Sequence, residues 1–220
     1  MDKYYNLLML HGFISVFYIV SVPIATDTTF SLCTQHICAL FECLRCNIER
    51  IRSSDFVLIE PNIENDEAYR DIIRCIKSYK RALKLSDVLS SNYATSFLFL
   101  LGNVIIGLSF GAAELIMVDT QLDEDIRILS ATLAQLLHIY CLCFISQGLI
   151  DHSSGIRDAI YSCDWYKISK RSRHLLRFTL MRTTKPCQIK VGNMFVMSMV
   201  NFSSILQVSM SYFTMLTSLQ

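Results

Sequence analysis

Apolar and charged residues are sorted along this chain into long blocks rather than a short alternation. Tyr4 to Thr26 contains no Asp, Glu, Lys or Arg, Ser96 to Val118 contains only Glu114, and Ile128 to Ile150 and Val191 to Gln220 contain none. A membrane-spanning helix needs about 20 apolar residues at ~1.5 Å rise each, and every block is long enough. The pattern predicts four spans, near 4–26, 96–118, 128–150 and 191–219. Beyond the first block, Phe30, Leu32, Cys33, Ile37, Leu40, Phe41 and Leu44 recur near helical spacing. Either one helix continues into water to about residue 51, or Pro23 separates two shorter ones.

The segments between the blocks set the orientation. Arg45 to Asp87 and Asp151 to Lys190 each hold nine Lys/Arg, whereas Val118 to Arg127 holds one. Basic loops stay in the cytoplasm. Segments 45–87 and 151–190 are therefore expected inside, and the loop with Asp119, Asp123, Glu124 and Asp125 outside. Both chain ends then fall on the extracellular side. A signal peptide is not expected, because the first apolar run exceeds the ~7–15 residues of an h-region.

Composition agrees with this pattern. The chain is 52% apolar and 18% charged, with mean hydropathy +0.39, against about 25% charged in ordinary soluble domains. Its 20 basic and 19 acidic residues nearly cancel, so no global field favours nucleic acid. Seven glycines and three prolines argue against disorder and turn-dense β architecture. The expectation is an all-α integral membrane protein.

Candidate chemistry is thin. Cys43-x-x-Cys46 lacks a βαβ context, and Cys141 and Cys143 fall on different faces of a helix. The five histidines lack ligand spacing, so no metal or cofactor is expected. No phosphate loop, nucleophile elbow or HExxH is present, and Asn201-Phe202-Ser203 lies inside a span where glycosylation does not reach. Asp27 and Glu114 are the intramembrane ionisable residues a transporter or enzyme would use, and neither has an obvious basic partner. The last block is more telling. Ser204, Gln207, Ser211, Thr214 and Ser218 are spaced 3, 4, 3 and 4, placing them on one helix face. Two readings stand: polar glue between helices, or the wall of an uncharged, water-filled pore with Met215 and Leu219 near an apolar constriction.

The run LAQLLHIYCLCFISQGLIDHSSGIRDAIYSCDWY (Leu133–Tyr166) and SYFTML (Ser211–Leu216) resemble the insect odorant receptor family. So do DTTF (Asp27–Phe30) and the Pro186 and Gly192 pair. The resemblance covers essentially the whole chain and implies a helical bundle equivalent to the family's fourth to seventh helices. On that footing 220 residues is about half a receptor, so a partial sequence is expected. The resemblance also implies one long first helix, and an odorant-gated, non-selective cation channel assembled as a tetramer with a co-receptor. Its setting would be the plasma membrane of olfactory sensory neurons, with the C-terminus extracellular.

Under that resemblance the polar stripe becomes the pore wall, with Met215 at the apolar gate and Ser218 at a polar ring. Tyr161 and Trp165 become packing anchors between subunits. Phe13, Phe17, Tyr18, Leu133 and Leu136 are candidates for the pocket of a small volatile ligand. The short segment Ser53–Asp66 resembles a tuning subunit rather than the co-receptor. A gustatory-type channel is the alternative, and a transporter or enzyme comes behind it.

Overall fold

Residues 2–51, 66–117, 122–192 and 195–218 are described by the computed structural model. Helix α1 (Asp2–Glu49) is continuous over 48 residues, roughly 70 Å at ~1.5 Å per residue. Pro23 lies within it and does not divide it. Around the proline, the hydroxyls of Thr26, Thr28 and Thr29 donate back to the carbonyls of Val22, Ile24 and Ala25. Each hydroxyl is thereby satisfied inside its own helix, as an apolar environment requires. No described side chain from Tyr4 to Thr29 is buried. Burial begins at Phe30 and continues through Thr34, Ile37, Phe41, Leu44 and Ile48. These positions alternate by four and three, the 3.5-residue period of a coiled-coil seam. The inner half of α1 is thus the core-forming half.

Helix α2 (Glu67–Met117) runs for 51 residues, and α3 (Leu122–Ser162) for 41. Each joins an apolar block to one of the basic segments without a break. The basic segments 45–87 and 151–190 are thus in part the continuations of these helices. Between Glu67 and Leu101 there is no glycine or proline, so nothing stops the helix where the chain leaves the apolar block. α2 starts at Asp66, whose Oδ1 accepts from Tyr69 N at 3.0 Å. α4 (Lys170–Thr183) starts at Ser169, whose hydroxyl accepts from Ser172 N. The same hydroxyl donates to Asp66 Oδ2 at 2.7 Å. Two N-caps are thereby joined in one buried contact.

The block predicts a span near 191–219, and at its start β1 (Lys190–Val191) pairs antiparallel with β2 (Phe195–Val196). The final helix, α5 (Met199–Ser218), begins only after them. Val191 and Ile189 are fully buried. Gly192 has φ +54°, and a Cβ there would lie 3.2 Å from Leu98 of α2, so glycine is required. Ser90 and Ser153 fix this connection by accepting from Lys190 N and Cys187 N, respectively, both at 3.0 Å.

By length and apolar composition, α1, α2 and α3 can each cross a membrane. α5 carries no Asp, Glu, Lys or Arg. The α2–α3 crossing is close. A Cβ at Gly111 would stand 2.5 Å from Thr132 Cγ2, and one at Gly107 2.6 Å from Gln135 Oε1. Gly107 and Gly111 form the small-xxx-small spacing of close membrane helices, a signal the block-level reading passed over.

Candidate functional site

The polar stripe of α5 turns away from the chain's own core. Ile205 and Ser209 are buried, while Gln207, Ser211, Thr214 and Ser218 are exposed and Ser204 is half-buried. At 100° per residue these two sets lie on nearly opposite sides of the helix. The intramolecular polar glue is made by a different serine. Ser109 of α2 donates to the carbonyl of Ser209 at 3.3 Å, and Ser209 lies outside the stripe. The hydroxyls of Thr214 and Ser218 donate to Ser211 and Met215 carbonyls at 2.9 Å. They still leave lone pairs toward the open side. Met215 is 54% exposed on this side, and Leu219 lies outside the described residues.

A second polar feature connects α1 to α3. Asp27 Oδ2 is 2.7 Å from His138 Nε2, with side chains 34% and 35% exposed. The expectation that Asp27 lacks a basic partner is thus corrected. His138 stands in the middle of the uncharged block Ile128–Ile150, and Asp27 is the one Asp, Glu, Lys or Arg between Tyr4 and Phe41. The partners are 111 residues apart, so no local spacing could reveal them. Further inward, His152 Nδ1 lies 3.3 Å from Glu42 Oε2. The two contacts have nearly the same sequence offset, so α1 and α3 run parallel in register between them. Glu114 is exposed near the end of α2 and enters no ion pair among the described residues.

The same register separates the candidate ligand-pocket residues. Phe17, ten positions before Asp27, stands at the height of Ile128, ten before His138. Leu133 stands at the height of Val22. Phe13, Phe17, Tyr18 and Leu133 are all exposed. Leu136 instead lines a cavity of about 200 Å³ between α2, α3 and α5, with Leu108, Ala112, Leu206 and Phe213. The five candidates therefore do not form one pocket within this chain.

Tyr161 and Trp165, at and just beyond the end of α3, are both exposed and flank a cleft against α4. Among the described residues all nine cysteines are free, with Cys43 and Cys46 exposed on α1 and Cys75, Cys163 and Cys187 buried. Burial pushes the Cys75 thiol up to about 11, helped by nearby Asp71. It raises Cys163 and Cys187 as well. No three His, Cys, Asp or Glu side chains converge as metal ligands among the described residues.

The profile of the 7tm odorant receptor family matches residues 1–210. The chain belongs to the insect odorant receptor family. Odorant receptor Or2 of Anopheles gambiae is 26% identical over 188 residues, 85% of this chain and 49% of that protein. The odorant receptor coreceptor of Aedes aegypti is 22% identical over 145 residues, 66% of this chain and 30% of that protein. The fold matches the olfactory receptor OR5 from Machilis hrabei, solved in complex with eugenol, with TM-score 0.81 at 17% identity. That match covers 94% of this chain and 51% of the other. This odorant receptor chain thus spans between about a third and about half of the length of these relatives. It is a multi-pass, all-α membrane protein of a family of receptors, not of enzymes.

Proposed function

We propose that this chain is the pore-bearing part of a tuning-type odorant receptor, a subunit of an odorant-gated, non-selective cation channel. The observation that carries the reading is the α5 stripe: Gln207, Ser211, Thr214 and Ser218 point away from the subunit's own core. Lipid is a poor solvent for such a face. Four copies of it around an axis form an uncharged, hydrated lining, which Met215 and Leu219 narrow to an apolar gate. Loop charge supports an extracellular C-terminus. That would place Ser218 at the outer mouth, in the plasma membrane of olfactory sensory neurons.

The assembly is a tetramer with the odorant receptor co-receptor, in which Tyr161 and Trp165 pack between subunits at the cytoplasmic ends. The ligand is a small, mostly apolar volatile molecule, held by shape and aromatic contact. Phe13, Phe17 and Tyr18 on the uncovered outer half of α1, together with Leu133, supply one wall of its site. Leu136 belongs to the layer beneath. Co-expressing the receptor that contains this chain with a co-receptor, and applying an odorant panel, should give cation currents. Silence across a broad panel despite surface expression would overturn the reading.

A further inference from the structure

The cleft between the end of α3 and α4 has a chemistry that subunit packing does not require. It measures about 190 Å³, comparable with the ~150 Å³ that holds a single aromatic ring. Tyr161, Trp165, Leu176 and Leu180 give it apolar walls, and Arg173 and Arg177, one turn apart on α4, complete its lining. Neither arginine forms an ion pair among the described residues. Asp164, the acid adjacent to Trp165 in sequence, engages Lys167 at 3.1 Å and accepts from the Tyr166 hydroxyl. The Nε of Arg173 is buried with no hydrogen-bond acceptor. A buried donor left unmade is costly, and a guanidinium is shaped to receive two oxygens of one anion. α4 contains no acid and adds Lys170, Arg171 and Arg182 to the local positive field.

We propose that this cleft binds an anionic amphiphile, a carboxylate or phosphate carried on an apolar or aromatic body. The body would lie against Trp165, Tyr161 and the two leucines, and the anion would meet Arg173 and Arg177. Tyr161 lies eleven residues beyond Ile150, ~16 Å past the end of the uncharged block. That is within reach of a protruding lipid headgroup and equally of a soluble molecule. Binding here does not depend on conduction, but it rests on the proposed assembly in one respect: Tyr161 and Trp165 must keep a face toward the cleft while they pack between subunits.

Trp165 is the one tryptophan in these 220 residues, and the difference in emission between the receptor and its Trp165→Phe variant isolates its signal. The receptor that contains this chain is titrated in phosphatidylcholine nanodiscs with phenyl phosphate, and in a second arm placed in nanodiscs containing phosphatidylinositol 4,5-bisphosphate. Benzyl alcohol serves as the neutral control. A saturable change in Trp165 emission in either arm is expected, and the arm that responds identifies the source of the anion. R173Q/R177Q should raise the apparent Kd at least about tenfold, the loss of one charge-assisted contact. Leu180→Phe, which fills the cleft without touching charge, should weaken binding as well. R171Q/R182Q, equal in charge removed but outside the lining, should retain it. The proposal is overturned by no saturable response in either arm, by an equal response to benzyl alcohol, or by equal losses in the two double variants.

Discussion

Replacing His138 by leucine removes the partner of the intramembrane Asp27 while keeping an apolar side chain of similar bulk. A fully buried pair broken in this way costs about 3–5 kcal/mol, and an exposed one about 0–1 kcal/mol. Here the contact is short, 2.7 Å, but each side chain keeps about a third of its surface open. Polar contacts measured between membrane helices average ~0.6 and reach ~1.7 kcal/mol. The expected loss for His138→Leu is therefore about 1–2 kcal/mol. Asp27→Asn should cost less, because it leaves a neutral amide rather than a carboxylate facing apolar neighbours. The double variant should be less damaging than the sum, with a coupling of at least ~0.5 kcal/mol. Reversible unfolding of the purified receptor in bicelles, with all four members of the cycle, measures each quantity. Additive single effects, or Asp27→Asn more harmful than His138→Leu, would refute the assignment of this pair as the α1–α3 tie.

Gly111→Ala forces a methyl to within 2.5 Å of Thr132 Cγ2 and should destabilise by about 1–3 kcal/mol. Adding Thr132→Ser, which deletes that methyl and keeps the hydroxyl, should recover most of the loss in the same unfolding assay. Ser169→Ala removes the α4 cap and the 2.7 Å contact to Asp66 together. It should cost about 1–2 kcal/mol and accelerate limited proteolysis near α4. Under native conditions maleimide should label Cys43 and Cys46 and leave Cys75 unmodified. With its thiol pushed to about 11, Cys75 holds only about one part in a thousand thiolate at pH 8. Its labelling should rise as pH climbs toward 11, and fast labelling at pH 7 would show that the α1–α2 seam opens.

Features governed by one helix were the most readable. Apolar positions that outlast the first block allowed one long α1 or a break at Pro23, the family resemblance implied the single helix, and the α5 stripe followed from its 3, 4, 3, 4 spacing. The structure adds the direction of that stripe, which depends on what Ile205 and Ser209 bury against. The basic segments were harder to read. Charge marks where a helix meets water, not where it ends, so α2 and α3 continue through segments that resemble loops. Two-residue strands such as β1 and β2 are too short for any period to register, although Gly192 marked the turn. The Asp27–His138 pair and the joined caps of Asp66 and Ser169 connect residues more than a hundred positions apart. Such contacts are set by helix register, which no single helix encodes.

The central claim is that the exposed stripe of α5 faces an aqueous pore. Single cysteines at Ser211, Met215 and Ser218, with Ile205 and Ser209 as controls, can be tested in the assembled receptor against a membrane-impermeant thiol reagent during current recording. The account predicts rapid, complete block at Ser211 and Ser218, modification of Met215 only while the channel is open, and no effect at Ile205 or Ser209. Unmodified stripe positions alongside reactive controls would contradict it.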